Sequence, residues 1–209
     1  MNAVDHYLRA VCLDPEDGET VVKAVNLMMA NTVLFQAYKK LTGKQQQEVM
    51  AAIRDTNRVA DLCENNYGLK AVCLKKFPAA FQQPLKNLFV YLWENALRSP
   101  KFNDHFSKWQ ELFRSFLTAE IESDCLLPDG NLQDFIVHLE WIALEYTAIK
   151  QFLFLDWMQN GSLTYEKIRD TITLVCRMTG YEEDDIYEYM QDCFDDVVWE
   201  WGYLAFILT

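Results

Sequence analysis

LQDFIVHLEWIALEYTAIKQFLFLDWM, residues 132–158, is apolar almost all the way round when wound as a helix. At about 100° per residue its aromatic and aliphatic side chains reach every sector, so the helix needs neighbours on several sides. His138, Glu140, Glu145 and Lys150 interrupt the run and make it a poor membrane span. The stretch therefore predicts the central helix of a folded all-α protein. Asn160-Gly161-Ser162 turns the chain after it, and Thr164 is placed to cap a helix over 165–178 with Glu166 in its first turn. On the other side, residues 123–131 contain Pro128-Asp129-Gly130, the longest break in the chain and the best place for a lobe boundary.

Further from the centre the punctuation stays sparse. Seven Gly and five Pro in 209 residues favour long uninterrupted elements, and six of the glycines fall between helical patterns. The spacing predicts helices over 3–13, 19–41 (closed by Gly43), 45–65, 69–77, 85–97 (ended by Ser99-Pro100) and 103–122, before the central helix, 165–178 and a C-terminal helix. Residues 103–122 carry Phe106, Trp109, Leu112, Phe113, Phe116 and Leu117 as one wide apolar face. The expectation is a single compact α-helical domain, 1–209, of about nine helices around residues 132–158. With 51% hydrophobic and 24% charged residues the chain has the composition of a folded protein able to bury a sizeable core.

The charge is unevenly placed. The formal net charge is -12 and the sequence pI about 4.6, which argues against direct binding to nucleic acid or to an anionic membrane and in favour of a basic protein partner. Residues 181–209, YEEDDIYEYMQDCFDDVVWEWGYLAFILT, hold nine carboxylates and no Lys or Arg. On a helix, Ile186, Met190, Cys193, Phe194 and Val197 share one face. Asp184, Asp185, Glu188, Asp192, Asp195 and Asp196 lie opposite, with Trp199 and Tyr203 among the acids. An aromatic set in carboxylates has the composition of a hot spot for a basic surface. These eight residues are the expected partner-binding set. A basic counterpart exists within the chain, since residues 69–108 carry a net charge of +5.

Within the central helix, Asp134, His138, Glu145 and Asp156 form one polar strip and Glu140, Thr147 and Gln151 another. The first reads as a polar seam between helices, with proton transfer or metal binding by His138 with Asp134 or Glu145 as the chemical alternative. The second reads as the solvated edge of a mostly buried helix. Asp104, His105 and Ser107 have the residue types of a hydrolytic triad, but they crowd one helical turn and point apart. No G-x-S-x-G, G-x-G-x-x-G, phosphate loop or H-E-x-x-H occurs, so no catalytic residue, metal or cofactor is expected. The six cysteines include no C-x-x-C and the N-terminal residues lack a secretory pattern, which together predict reduced thiols in the cytoplasm.

The reading that follows is a non-enzymatic acidic interaction protein: an inhibitor, immunity protein, adaptor or nucleic-acid mimic. A peptide-binding chaperone with a helical groove is the second reading. Leu139-Glu140-Trp141 after Pro128-Asp129 is loosely similar to the central motif of the maturation chaperones of molybdenum-containing redox enzymes, although the spacing between the two halves differs. That resemblance covers about a dozen residues and implies a helical, peptide-shielding protein. A helical-bundle enzyme built on His138 is the third.

Overall fold

The computed structural model describes residues 38–52, 98–126, 130–179 and 183–193, with further single positions between 25 and 36 and at 92, 94, 95 and 202. Among the described residues there is no strand, and the protein is all-α. Six α-helices have their bounds among the described residues: α1 Gly43–Ala52, α2 Ser99–Phe106, α3 Gln110–Glu120, α4 Leu132–Asn160, α5 Tyr165–Thr179 and α6 Glu183–Cys193. A 3-10 turn, Ser107–Trp109, joins α2 to α3, and a π-helical turn, Ile121–Cys125, extends α3. The expected count of about nine is not reached among the described residues; the expected helices over 3–13 and 69–77 lie outside them, and that over 85–97 is described only at 92, 94 and 95.

Both ends of α4 are fixed by local chemistry. The Asn131 side-chain oxygen accepts the backbone N–H groups of Gln133 (2.8 Å) and Asp134 (3.0 Å), while the Asp134 carboxylate accepts the Asn131 N–H at 3.4 Å. This reciprocal box satisfies donors that the first turn leaves without helical partners. At the other end Gly161 takes φ +70°, a left-handed conformation that costs glycine nothing, and its N–H donates to the Trp157 carbonyl at 2.7 Å. In between, Leu144, Ala148, Ile149, Phe152, Leu153 and Leu155 are fully buried. The predicted central helix is the structural centre of the described core.

Its neighbours approach from different sides. α5 returns antiparallel along α4. Near one end the Trp141 indole N–H donates to the Thr179 carbonyl at 3.1 Å; near the other, Lys167 Nζ meets Asp156 at 2.8 Å. Ile168, Thr171, Val175 and Thr179 are the inward residues of α5, recurring at helical spacing. α2 and α3 supply an aromatic layer. Phe102 packs on Phe154 (5.2 Å between ring centroids) and Trp157 (5.9 Å), and Phe106 and Phe113 both pack on Tyr146. α6 meets the first half of α4 through an edge-on contact of Tyr189 with Trp141 at 5.4 Å. The described positions from Val25 to Lys39 are helical, and Val25, Met28, Met29, Val33 and Tyr38 are buried.

Two boundaries differ from expectation for identifiable reasons. Ser99-Pro100 opens α2 where it was expected to close a preceding helix: proline lacks only an N–H that the first turn leaves unpaired anyway. Gly43 lies within the first turn of α1, because Thr42 caps that helix. The Thr42 N–H donates to Gln45 Oε1 at 3.0 Å, and the Gln45 N–H donates to Thr42 Oγ1 at 3.5 Å. The single helix expected over 103–122 is divided at Ser107–Trp109, and only Phe106 and Phe113 of its apolar face are fully inside. None of the helices among the described residues is long and apolar enough to cross a membrane.

Candidate functional site

The C-terminal helix is amphipathic over its described part. Ile186 and Met190, one turn apart, are buried, whereas Asp185 and Glu188 are exposed. The helix thus docks through its apolar side and turns these carboxylates outward. The side chains of Asp184 and Asp192, and all of Asp195, Asp196, Trp199 and Tyr203, lie outside the described residues. Beside α6 runs an open groove of about 570 Å³ between Leu132, Gln133, Ile136 and Val137 of α4 and Tyr187 and Gln191 of α6. Leu132 stands 74% exposed at its edge.

The first polar strip of α4 divides into structural roles. Asp134 belongs to the helix cap, and His138 Nδ1 sits 2.9 Å from the Asp134 backbone oxygen, not from a carboxylate. Asp156 is buried, bonded by Lys167 through both oxygens (3.0 and 2.8 Å) and by Asn160 at 3.0 Å. Glu145, also buried, accepts the Thr179 hydroxyl. The strip is shared among three separate contacts, and the structure does not bring His138 to the Glu145 carboxylate through any hydrogen bond among the described residues. Ser107 Oγ donates to the Asp104 backbone oxygen while His105 packs on Trp157 at 5.6 Å, so the triad residue types stay apart in function as well.

The second strip is not a solvated edge. Glu140 is fully buried, Thr147 and Gln151 nearly so. Neither Glu140 oxygen, nor either polar atom of the Gln151 amide, has a hydrogen-bond partner among the described residues. Burial alone pushes the Glu140 carboxyl up to about 7, because removing a carboxylate from water disfavours its charged form. Trp141 of the chaperone-like Leu139-Glu140-Trp141 run is likewise in the core. These side chains are interior packing and present no surface to a peptide.

A further group of ionisable residues comes together where no sequence spacing announced it. Glu120 at the end of α3, Glu145 in the middle of α4 and Cys176 on α5 place one ligand atom each within 4.8 Å of the other two. Burial drives the Glu145 carboxyl up to about 8; the Thr179 hydroxyl opposes the rise, and the charges of Glu120 and Asp124 add to it. The Cys176 thiol is pushed up to about 12, by burial first and then by Glu145 and Glu120. Two carboxyls and a thiol from three helices are a possible ligand set for a cation. The 25 and 31 residues that separate them along the chain hide it from any motif search.

Comparison with protein-family models, with curated proteins and with solved structures gives no match to this chain.

Proposed function

We propose that the protein is a non-enzymatic interaction protein of the cytoplasm, folded as a single compact domain, which captures a basic protein partner through the anionic outer face of its C-terminal helix. An inhibitor, immunity protein, adaptor or nucleic-acid mimic would each work this way. The observation that supports the reading is the orientation of α6: Ile186 and Met190 anchor it, and Asp185 and Glu188 face water. Residues 181–209 contain no Lys or Arg to neutralise that face. Carboxylates on a rigid helix can engage Lys and Arg side chains and steer their approach over a distance. The test is charge reversal, with Asp185→Lys and Glu188→Lys combined, and then Asp192, Asp195 and Asp196 each to Lys. Loss of the partner from cell extract at low salt supports the reading; an unchanged set of partners defeats it.

The groove between α4 and α6 favours one second reading, a chaperone for peptides that carry apolar and basic residues. Its apolar walls, Leu132, Ile136 and Val137, adjoin the anionic helix. Titration with twin-arginine leader peptides separates the two readings, because Ile136→Glu would abolish peptide binding and leave capture through the outer acids intact.

A further inference from the structure

We infer that Glu120, Glu145 and Cys176 form a binding site for one zinc ion. Three ligand atoms from three packed helices lie within 4.8 Å of one another, close enough for modest side-chain rotation to bring them to the roughly 3.5 Å spacing of one thiolate and two carboxylates around a tetrahedral ion. The donor set selects the ion: a thiolate is too soft for magnesium or calcium, and paired carboxylates disfavour copper(I), which leaves the borderline divalent metals. Three protein ligands leave a fourth position for solvent.

A second observation points to a cation. Glu145 is 4% exposed, and the ion pairs of the described residues, Lys44–Glu48, Arg114–Glu111, Lys167–Asp156 and Arg169–Asp170, include none with Glu120, Asp124 or Glu145. The Glu145 side chain is hydrogen-bonded by the Thr179 hydroxyl and the Trp141 side chain, both uncharged. A buried carboxylate faced by further acids, with no Lys or Arg paired to them among the described residues, is costly unless a cation or protons neutralise the group.

The surroundings suit such a site. Glu120 and Cys176 are only half-buried, so an ion reaches the group from the solvent side with Glu145 at its floor. The Thr179 hydroxyl lies between Glu145 and the Val175 carbonyl (2.8 Å) with one hydrogen to give; donated to the ionised Glu145 it plays the role of an outer partner that orients a ligand. The π-helical turn Ile121–Cys125 begins directly after Glu120, and turns of this kind recur at functional sites. On binding, the Cys176 S–H bond and the Glu145 carboxyl O–H bond break, S–Zn and O–Zn bonds form, and the protons leave to solvent; nothing is oxidised or reduced.

The experiment uses the full-length protein, reduced and stripped with a chelator, titrated with cobalt(II) as a spectroscopic stand-in and then with zinc to displace it. The expected result is one equivalent of cobalt with a thiolate-to-cobalt charge-transfer band, lost in Cys176→Ser and displaced by zinc. Glu120→Gln, at a half-exposed position, should weaken zinc binding about tenfold or more with the helical circular dichroism unchanged. Absence of the band from the native protein, a band that survives Cys176→Ser, or unaltered zinc affinity in Glu120→Gln would each overturn the site. If Cys176→Ser does not fold, Glu120→Gln decides.

Discussion

Replacing Glu140 with glutamine should remove a pH-dependent loss of stability that the native protein suffers near neutrality. Glu140 is fully buried, and neither of its oxygens has a partner among the described residues. Burial raises its carboxyl from 4.5 to about 7. Since the folded value lies above the unfolded one, the folded state binds the extra proton. The stability that the neutral form contributes is therefore fully present below 4.5 and is lost as pH rises through about 7. A rise of this size corresponds to about 3 kcal/mol. Urea unfolding of both proteins at about pH 5 and about pH 8.5 isolates this contribution, because every other titrating group cancels in the difference. Glu140→Gln should gain about 2.5 kcal/mol relative to the native protein between those two conditions, since the unfolded carboxyl is already partly ionised at the lower pH. A difference that stays constant with pH would show that the carboxylate is solvated or paired in the folded protein, and would refute the reasoning.

Two further substitutions probe the frame around α4. Lys167→Met removes the cation that bonds both oxygens of buried Asp156 and leaves Asn160 as its side-chain donor; denaturant melts at neutral pH should show a loss of about 2 kcal/mol. Gly161→Ala forces a Cβ into the left-handed C-cap at φ +70°, where the surroundings leave open space, so the cost is conformational alone. It should be about 1 kcal/mol, read as a lower unfolding midpoint with an unchanged denaturant slope.

The central helix was legible because its signals are local: apolar side chains that reach every sector, a Pro128-Asp129-Gly130 break before it and the Asn160-Gly161-Ser162 turn after it. The buried and exposed sides of α6 were legible for the same reason, since Ile186 and Met190 are one turn apart and Asp185 and Glu188 lie off that line. Ser99-Pro100 was ambiguous in principle, because a proline that stops one helix serves equally well to open the next. The Glu140–Thr147–Gln151 strip was misread because periodicity places residues on one face without saying what that face meets. In a helix surrounded on all sides, even its polar strip is interior. The Glu120–Glu145–Cys176 group depends on how three helices pack, and no spacing within any one of them encodes it.

The most direct test of the acidic-face account is co-purification of the native protein with its partner at low and at high salt. If the carboxylates of the C-terminal helix carry the interaction, a basic protein accompanies the native chain at low salt and is released at high salt, where screening acts over a few ångströms. The Asp185→Lys and Glu188→Lys variant should not capture it under either condition. A partner retained at high salt by both proteins would contradict the account and place the interaction on an apolar surface instead.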